Sequence, residues 1–152
     1  MNELRELYQE VVLDHAKRPR NFGTAQAASH RAAGHNPLCG DKLTVTITLA
    51  DGCVADARFE GSGCAISTAS ASLMTEAIRG KSEAEVRAMF EAFRAGLTAT
   101  DEGAAASALA ELDKLAVFAG VREFPIRVKC ATLPWHTLIA ALDHVSEPVK
   151  TE

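Results

Sequence analysis

The chain has 152 residues, 47% of them hydrophobic, and its sixteen basic against twenty acidic residues leave a net charge of -4. That length supports one domain, residues 1–152, with a real core, and the charge balance excludes a surface built to track phosphates, so no nucleic acid is expected as a partner. No apolar run approaches the roughly 18 residues of a membrane span, and "MNELRELYQEVVLDHAKRPR" lacks the apolar centre of a secretory signal; the expected setting is cytoplasmic, with no membrane partner and reduced thiols.

Leu4, Leu7, Tyr8, Val11 and Val12 fall at helical spacing behind Asn2 as a cap, which predicts an amphipathic helix from residue 3 to about 16, ended by "KRPRNFG". From 43 to 49, "LTVTITL" alternates strictly, with Leu43, Val45, Ile47 and Leu49 on one face and three threonines on the other. The turn signal "ADG" follows, and "CVADARFE" resumes with period two, so residues 43 to 60 read as an antiparallel hairpin. In its second strand Cys53 shares a face with Ala55, Ala57 and Phe59, the pattern of a buried, inert cysteine.

After "EGSG", a segment rich in small residues reads as a helix over 65 to 79, stopped by Gly80. "SEAE", from Ser82 to Glu85, fits a capping box, and Val86, Met89, Phe90 and Phe93 continue it at helical spacing. Residues 96 to 120 are alanine-rich and read as one or two short helices. "REFPIRVK" reads as an extended piece leading to Cys130, and Trp135, Leu138, Ile139 and Leu142 form the stripe of a last helix with Pro134 in its first turn. The order predicts an α+β fold, with helices on one side of a small antiparallel sheet, without repeats or linkers.

The remaining cysteines occupy different contexts. Cys39 sits in "HNPLCGDK", two residues before Asp41; Cys64 follows "GSG" at the start of a helix; Cys130 lies between "RVK" and the last helix. A carboxylate that close to a thiol makes the thiolate more costly unless a cation is present, whereas a helix N-terminus favours the thiolate. Three thiolates and a carboxylate tolerate one another only around a divalent cation. Sulfur donors at four-coordination point to zinc, or to iron in a sulfide cluster, with Arg127 and Lys129 placed in sequence to offset the remaining charge. No C-x-x-C pair is present, and spacing alone leaves open that three unrelated cysteines sit at element ends.

Among the histidines, His35 reaches such a site only if its loop folds back, so a loop hydrogen bond is the simpler reading. His136 and His144 fall off the apolar stripe of the last helix and read as solvated; His15 and His30 have no partner identifiable in sequence. The H-x-E and P-C-x-x-C segments of a zinc deaminase are absent, and "GSGCAIS" is too short a glycine loop to bind phosphate.

Four segments, "LYQEVVLDHAKRPRNFG", "HNPLCGD", "FEGSGCAISTASASLMTE" and "FPIRVKCATLPW", resemble the SufU branch of the IscU-like iron–sulfur assembly proteins. Two features separate the chain from the IscU type: Lys129 stands where that type has a histidine before its last cysteine, and "EFPIRVK" does not reproduce the Leu-Pro-Pro-Val-Lys chaperone motif. The span from Cys64 to Cys130 is also longer, and about 96–120 resembles the SufU insertion. The resemblance implies that Cys39, Asp41, Cys64 and Cys130 are the four ligands of one site.

It further implies a zinc-dependent sulfurtransferase. Such a protein accepts a persulfide from a pyridoxal-phosphate cysteine desulfurase of the SufS type and passes the sulfur to a SufBCD-type assembly complex. By the same resemblance Cys39 is the acceptor, released when a histidine of the desulfurase replaces it on zinc, and Arg127 supports the docked partner or the transfer. Gly34 and Gly40 would let the Cys39 loop swing. The competing readings are a scaffold for a transient iron–sulfur cluster on the same ligands and a structural zinc domain that only binds partners.

Overall fold

The computed structural model describes the backbone of residues 2–151 and the side chains of residues 8–151. Helix α1 (Asn2–Lys17) leads through a crossing segment to β1 (His30–Asn36), β2 (Asp41–Ala50) and β3 (Cys53–Ser62). There follow α2 (Ala65–Ile78), α3 (Glu83–Thr98), α4 (Glu102–Ala110), a 3₁₀ segment (Asp113–Glu123), α5 (Pro125–Leu142) and the short strand β4 (Val149–Lys150). The sheet order is β3-β2-β1-β4. The α+β expectation holds, with helices on one side of the sheet; β4 runs parallel to β1 and makes the small sheet mixed.

The hairpin alternates as its sequence requires. Leu43, Val45 and Ile47 point into the core with Ala57 and Phe59. A register irregularity between Thr48 and Leu49 then resets the second strand. Val54 therefore takes the inward position, Ala55 is exposed and Cys53 is only half-buried, which corrects the expected placement of Cys53 in the core. Thr46, on the strand face opposite Val45 and Ile47, is also buried because the crossing segment lies over it, with the Ala25 N–H donating to Thr46 Oγ1 at 2.9 Å.

On α1, Tyr8, Val11 and Val12 pack against the core; Leu4 and Leu7 lie outside the described side chains. The buried His15 ties this helix to α2, with Nδ1 2.7 Å from Ser72 Oγ. The predicted capping box of α3 forms between Ser82 and Glu85. Residues 96–120 hold the end of α3, α4 and most of the 3₁₀ segment. Arg122 caps the end of α3, donating to the carbonyls of Gly96 at 2.8 Å and Ala99 at 2.6 Å.

Two elements depart from the sequence reading. The segment "REFPIRVK" is not extended: α5 begins at Pro125, whose missing N–H costs nothing at a first helical position. Pro134 lies inside that helix, where it removes the bond that would have reached back to the Cys130 carbonyl. Trp135, Leu138 and Leu142 face the core as predicted, with Trp135 stacked on Phe93 at a ring separation of 5.1 Å. The other departure is β1, whose inward face is Ala32, Gly34 and Asn36. Those residues are small because α5 lies directly on the strand, and a β-carbon on Gly34 would collide with Thr137 Oγ1 and crowd Leu133. Gly34 is thus a packing glycine in a strand, not a hinge of the Cys39 loop.

Gly34→Ala is expected to destabilise the fold by about 1–3 kcal/mol through overpacking, read as a lower midpoint in urea unfolding; an unchanged midpoint would contradict this contact.

Candidate metal centre

β1 and β2 pair down to Asn36 opposite Asp41, which leaves residues 37–40 as the connecting turn. Gly40 adopts φ 71°, where a side chain is rarely accommodated. The Leu38 N–H donates to Asn36 Oδ1 at 3.0 Å and closes the turn from inside. Cys39 rides on that turn, half-buried, with its sulfur 3.1 Å from Cys130 Sγ.

Asp41 opens β2 on the inward register shared with Leu43 and Val45, and is 1% exposed. Its Oδ1 accepts the Cys64 N–H at 2.7 Å, while Oδ2 lies 3.6 Å from Cys64 Sγ. That approach needs Gly63, because a β-carbon there would stand 2.7 Å from Asp41 Oδ1. Cys64 is the N-cap of α2, its sulfur accepting the Ser67 N–H at 3.4 Å. Cys130, 2% exposed, occupies the second turn of α5, with Asn36 Nδ2 3.8 Å from its sulfur. It lies within the helix rather than ahead of it, contrary to expectation.

Cys39, Asp41 and Cys130 each present a ligand atom within 4.8 Å of the others. Cys64 joins them through Asp41, although its sulfur is turned toward the α2 N-terminus and falls outside that close trio. All four predicted site residues therefore meet at one end of the sheet. The donor set of three sulfurs and a carboxylate fits a borderline-soft divalent cation such as zinc, or iron.

The Cys64 and Cys130 sulfurs are not poised as thiolates by the protein alone. Burial raises the Cys64 thiol, the Asp41 charge adds to it, and the Ser67 N–H only partly opposes them. Burial likewise raises Cys130, reinforced by its hydrogen bonds with Cys39 and Asp41. The helix N-terminus expected to favour the Cys64 thiolate is outweighed by desolvation, and a divalent cation bound there would favour the thiolate again.

The other candidates fall outside this cluster. Arg127 is exposed at the start of α5 with its guanidinium 4.5 Å above the Phe124 ring. Among the described residues no ion pair or hydrogen bond ties it to the cysteines. Strand alternation puts His35 on the opposite face of β1 from its buried neighbours Gly34 and Asn36. His136, expected in solvent, is half-buried beside Phe90 at 5.2 Å, and burial lowers its pKa. His144 is exposed and stacks on His30 at 4.3 Å. Two residues of the centre escape a reading of the sequence. Asn36 carries only the turn signal of an Asn-Pro pair, and Gly63 only that of a short glycine loop.

The family model described as "NifU-like N terminal domain" matches residues 7–131. Over 142 residues the chain is 38% identical to the iron–sulfur cluster assembly scaffold protein IscU of Streptococcus pyogenes, covering 93% of this chain and 86% of that protein. It is 41% identical over 135 residues to the zinc-dependent sulfurtransferase SufU of Bacillus subtilis, covering 89% and 88% respectively. The crystal structure of an iron–sulfur cluster assembly scaffold protein for the SUF system from Fervidobacterium islandicum superposes with a TM-score of 0.77 at 34% identity, over 91% of this chain and 98% of that one. Among the described residues no helix is long and apolar enough to cross a membrane.

The raised thiols give a signed pH dependence. A thiol whose folded pKa lies above its unfolded value contributes stability that is full below the unfolded value of about 8.5 and is lost as pH rises through the folded one. The metal-free protein should therefore lose stability above about pH 8.5, seen as a falling melting temperature. Zinc addition at neutral pH should release protons into a weakly buffered indicator solution. Zinc uptake without proton release would mean that the thiols were already ionised.

Proposed function

The chain belongs to the NifU-like N-terminal domain family of iron–sulfur cluster assembly proteins, and from that membership we propose that it is a zinc-dependent sulfurtransferase that takes persulfide sulfur from a SufS-type cysteine desulfurase and delivers it to a SufBCD-type assembly complex. The observation that carries this reading is the convergence of Cys39, Asp41 and Cys130 beside Cys64, in a chain 41% identical to a zinc-dependent sulfurtransferase. In this reading residues 1–152 form one family domain with an insertion at about 96–120, and the protein works in the cytoplasm.

Cys39, Asp41, Cys64 and Cys130 would hold the zinc. Bound there, Zn²⁺ supplies the positive charge that keeps buried thiols deprotonated at neutral pH. The chain's own residues divide the remaining work. Asp41, Cys64 and Cys130 sit on a strand, a helix cap and a helix, fixed by packing on several sides. Cys39 sits on the turn at 37–40 and is the most readily displaced, which makes it the acceptor. Its thiolate attacks the outer sulfur of the desulfurase persulfide; a new S–S bond forms at Cys39, the donor's S–S bond breaks, and the desulfurase cysteine leaves as a thiolate. Leu38, 63% exposed beside Cys39, and the exposed Arg127 at the start of α5 are available to a docked partner in this scheme, with Arg127 supporting docking.

A second reading, a scaffold on which a labile iron–sulfur cluster is built from the same residues, draws on the names of the Streptococcus and Fervidobacterium relatives. In that case the cluster is cargo and absorbs visible light, whereas zinc does not.

The test is alanine release from L-cysteine by the desulfurase of the same organism, titrated with the zinc-loaded protein under anaerobic, reducing conditions. Saturable stimulation is expected, with at least a tenfold loss in Cys39→Ser, on the order of removing a nucleophile's contribution. An absence of stimulation at every ratio would overturn the sulfurtransferase, and a visible band after iron and sulfide reconstitution would then favour the scaffold.

A further inference from the structure

The three sulfurs differ in what donates to them. Cys64 Sγ accepts the Ser67 N–H at 3.4 Å, and Cys130 Sγ faces Asn36 Nδ2 at 3.8 Å. Cys39 Sγ, among the described residues, receives only the neighbouring thiol of Cys130. Asn36 is 0% exposed, and both ends of its carboxamide are engaged. Its oxygen accepts the Leu38 N–H inside the turn that carries Cys39, and its nitrogen faces the sulfur on α5. The strand register aims it there: Asn36 is the last inward residue of β1, paired with Asp41 on β2.

From this geometry we propose that Asn36 is the positioning residue that makes Cys130 a retained ligand and leaves Cys39 as the exchangeable one. An N–H donated to a thiolate draws off electron density, so that sulfur becomes less nucleophilic and its metal bond less prone to attack. Asn36 supplies this donor to Cys130 and at the same time holds the base of the Cys39 turn through Leu38. When Cys39 leaves its place, the Asn36 to Cys130 link remains and keeps α5 registered against β1. The choice of acceptor is thus written into the hydrogen bonds around the sulfurs as well as into their exposure. The inference rests on the metal-site reading above, but its central measurements need no desulfurase.

The informative variant is Asn36→Ser. Its hydroxyl can still accept the Leu38 N–H in the turn but is too short to reach Cys130, and it adds no charge. Asn36→Asp keeps the acceptor, removes the donor and serves as a second variant. Each is loaded with Co²⁺ as a spectroscopic substitute for zinc, its fold is checked by far-UV circular dichroism, and its sulfur-to-cobalt charge-transfer band is recorded. Loss of an N–H donor should move that band to lower energy, weaken zinc binding about 10–100-fold in chelator competition, and raise iodoacetamide labelling of Cys130 relative to Cys39, resolved by peptide mass spectrometry. A folded Asn36→Ser protein with an unmoved band and unchanged labelling would overturn the role of Asn36. If instead the wild-type zinc protein shows no preference for labelling Cys39, it is the assignment of Cys39 as the exchangeable ligand that fails. Should Asn36→Ser not fold, Asn36→Asp carries the same comparison, with a band at the wild-type energy as its refuting result.

Discussion

A carboxylate buried among sulfur atoms is the constraint around which this end of the molecule is arranged. Asp41 is nearly inaccessible, and its Oδ1 spends one lone pair on the Cys64 N–H. Among the described residues no ion pair reaches Asp41; those of other aspartates join Asp14 to Arg18 and Arg20, Asp56 to Arg58 and Arg79, and Asp143 to Arg87. The Cys64 and Cys130 thiols beside it are pushed toward their neutral forms by burial. A bound divalent cation would suit the buried carboxylate and the sulfurs together, in line with their donor chemistry.

That arrangement depends on close packing some distance from the sulfurs. Cys130 reaches the site because α5 lies almost in contact with β1, which Ala32 and Gly34 permit from the strand and Ala140, Ala141 and Thr137 from the helix. Gly63 plays the same part where β3 passes into α2, letting the carboxylate meet the cap of the helix. The centre therefore draws three of its residues from packed elements and their caps and one from a turn. Asp41, Cys64 and Cys130 belong to elements bound into the core, whereas Cys39 belongs to a turn whose inner hydrogen bond comes from Asn36.

Helices away from the centre complete the apolar core. α1 is fixed to α2 through His15 and Ser72, whose hydroxyl also accepts the Arg20 N–H at 2.8 Å. α3, α4 and the 3₁₀ segment close over Phe93, Phe118 and Trp135. The surface ion pairs are exposed and contribute little each; the apolar interior carries the stability that holds the site's geometry.

Much of this was legible in the chain. The hairpin strands announced themselves by period-two alternation, α3 by its capping box, and the four candidate ligands by their chemistry together with the family resemblance, because periodicity and donor type are properties of residues and need no neighbours. β1 was not legible: its inward residues are small to admit α5, so its alternation carries no hydrophobic signal. Nor was the helical state of the segment before Cys130, where a proline suited to a first helical turn looked equally at home in an extended stretch. Cys53 was misplaced because a bulge, set by pairing between strands, shifts the pattern by one residue. The sequence by itself determined which atoms could bind a metal. Only the tertiary structure decided that three of them converge while Arg127 turns to Phe124, that His35 faces away, and that Asn36 enters the site, since each depends on register and close approach between segments far apart in the chain.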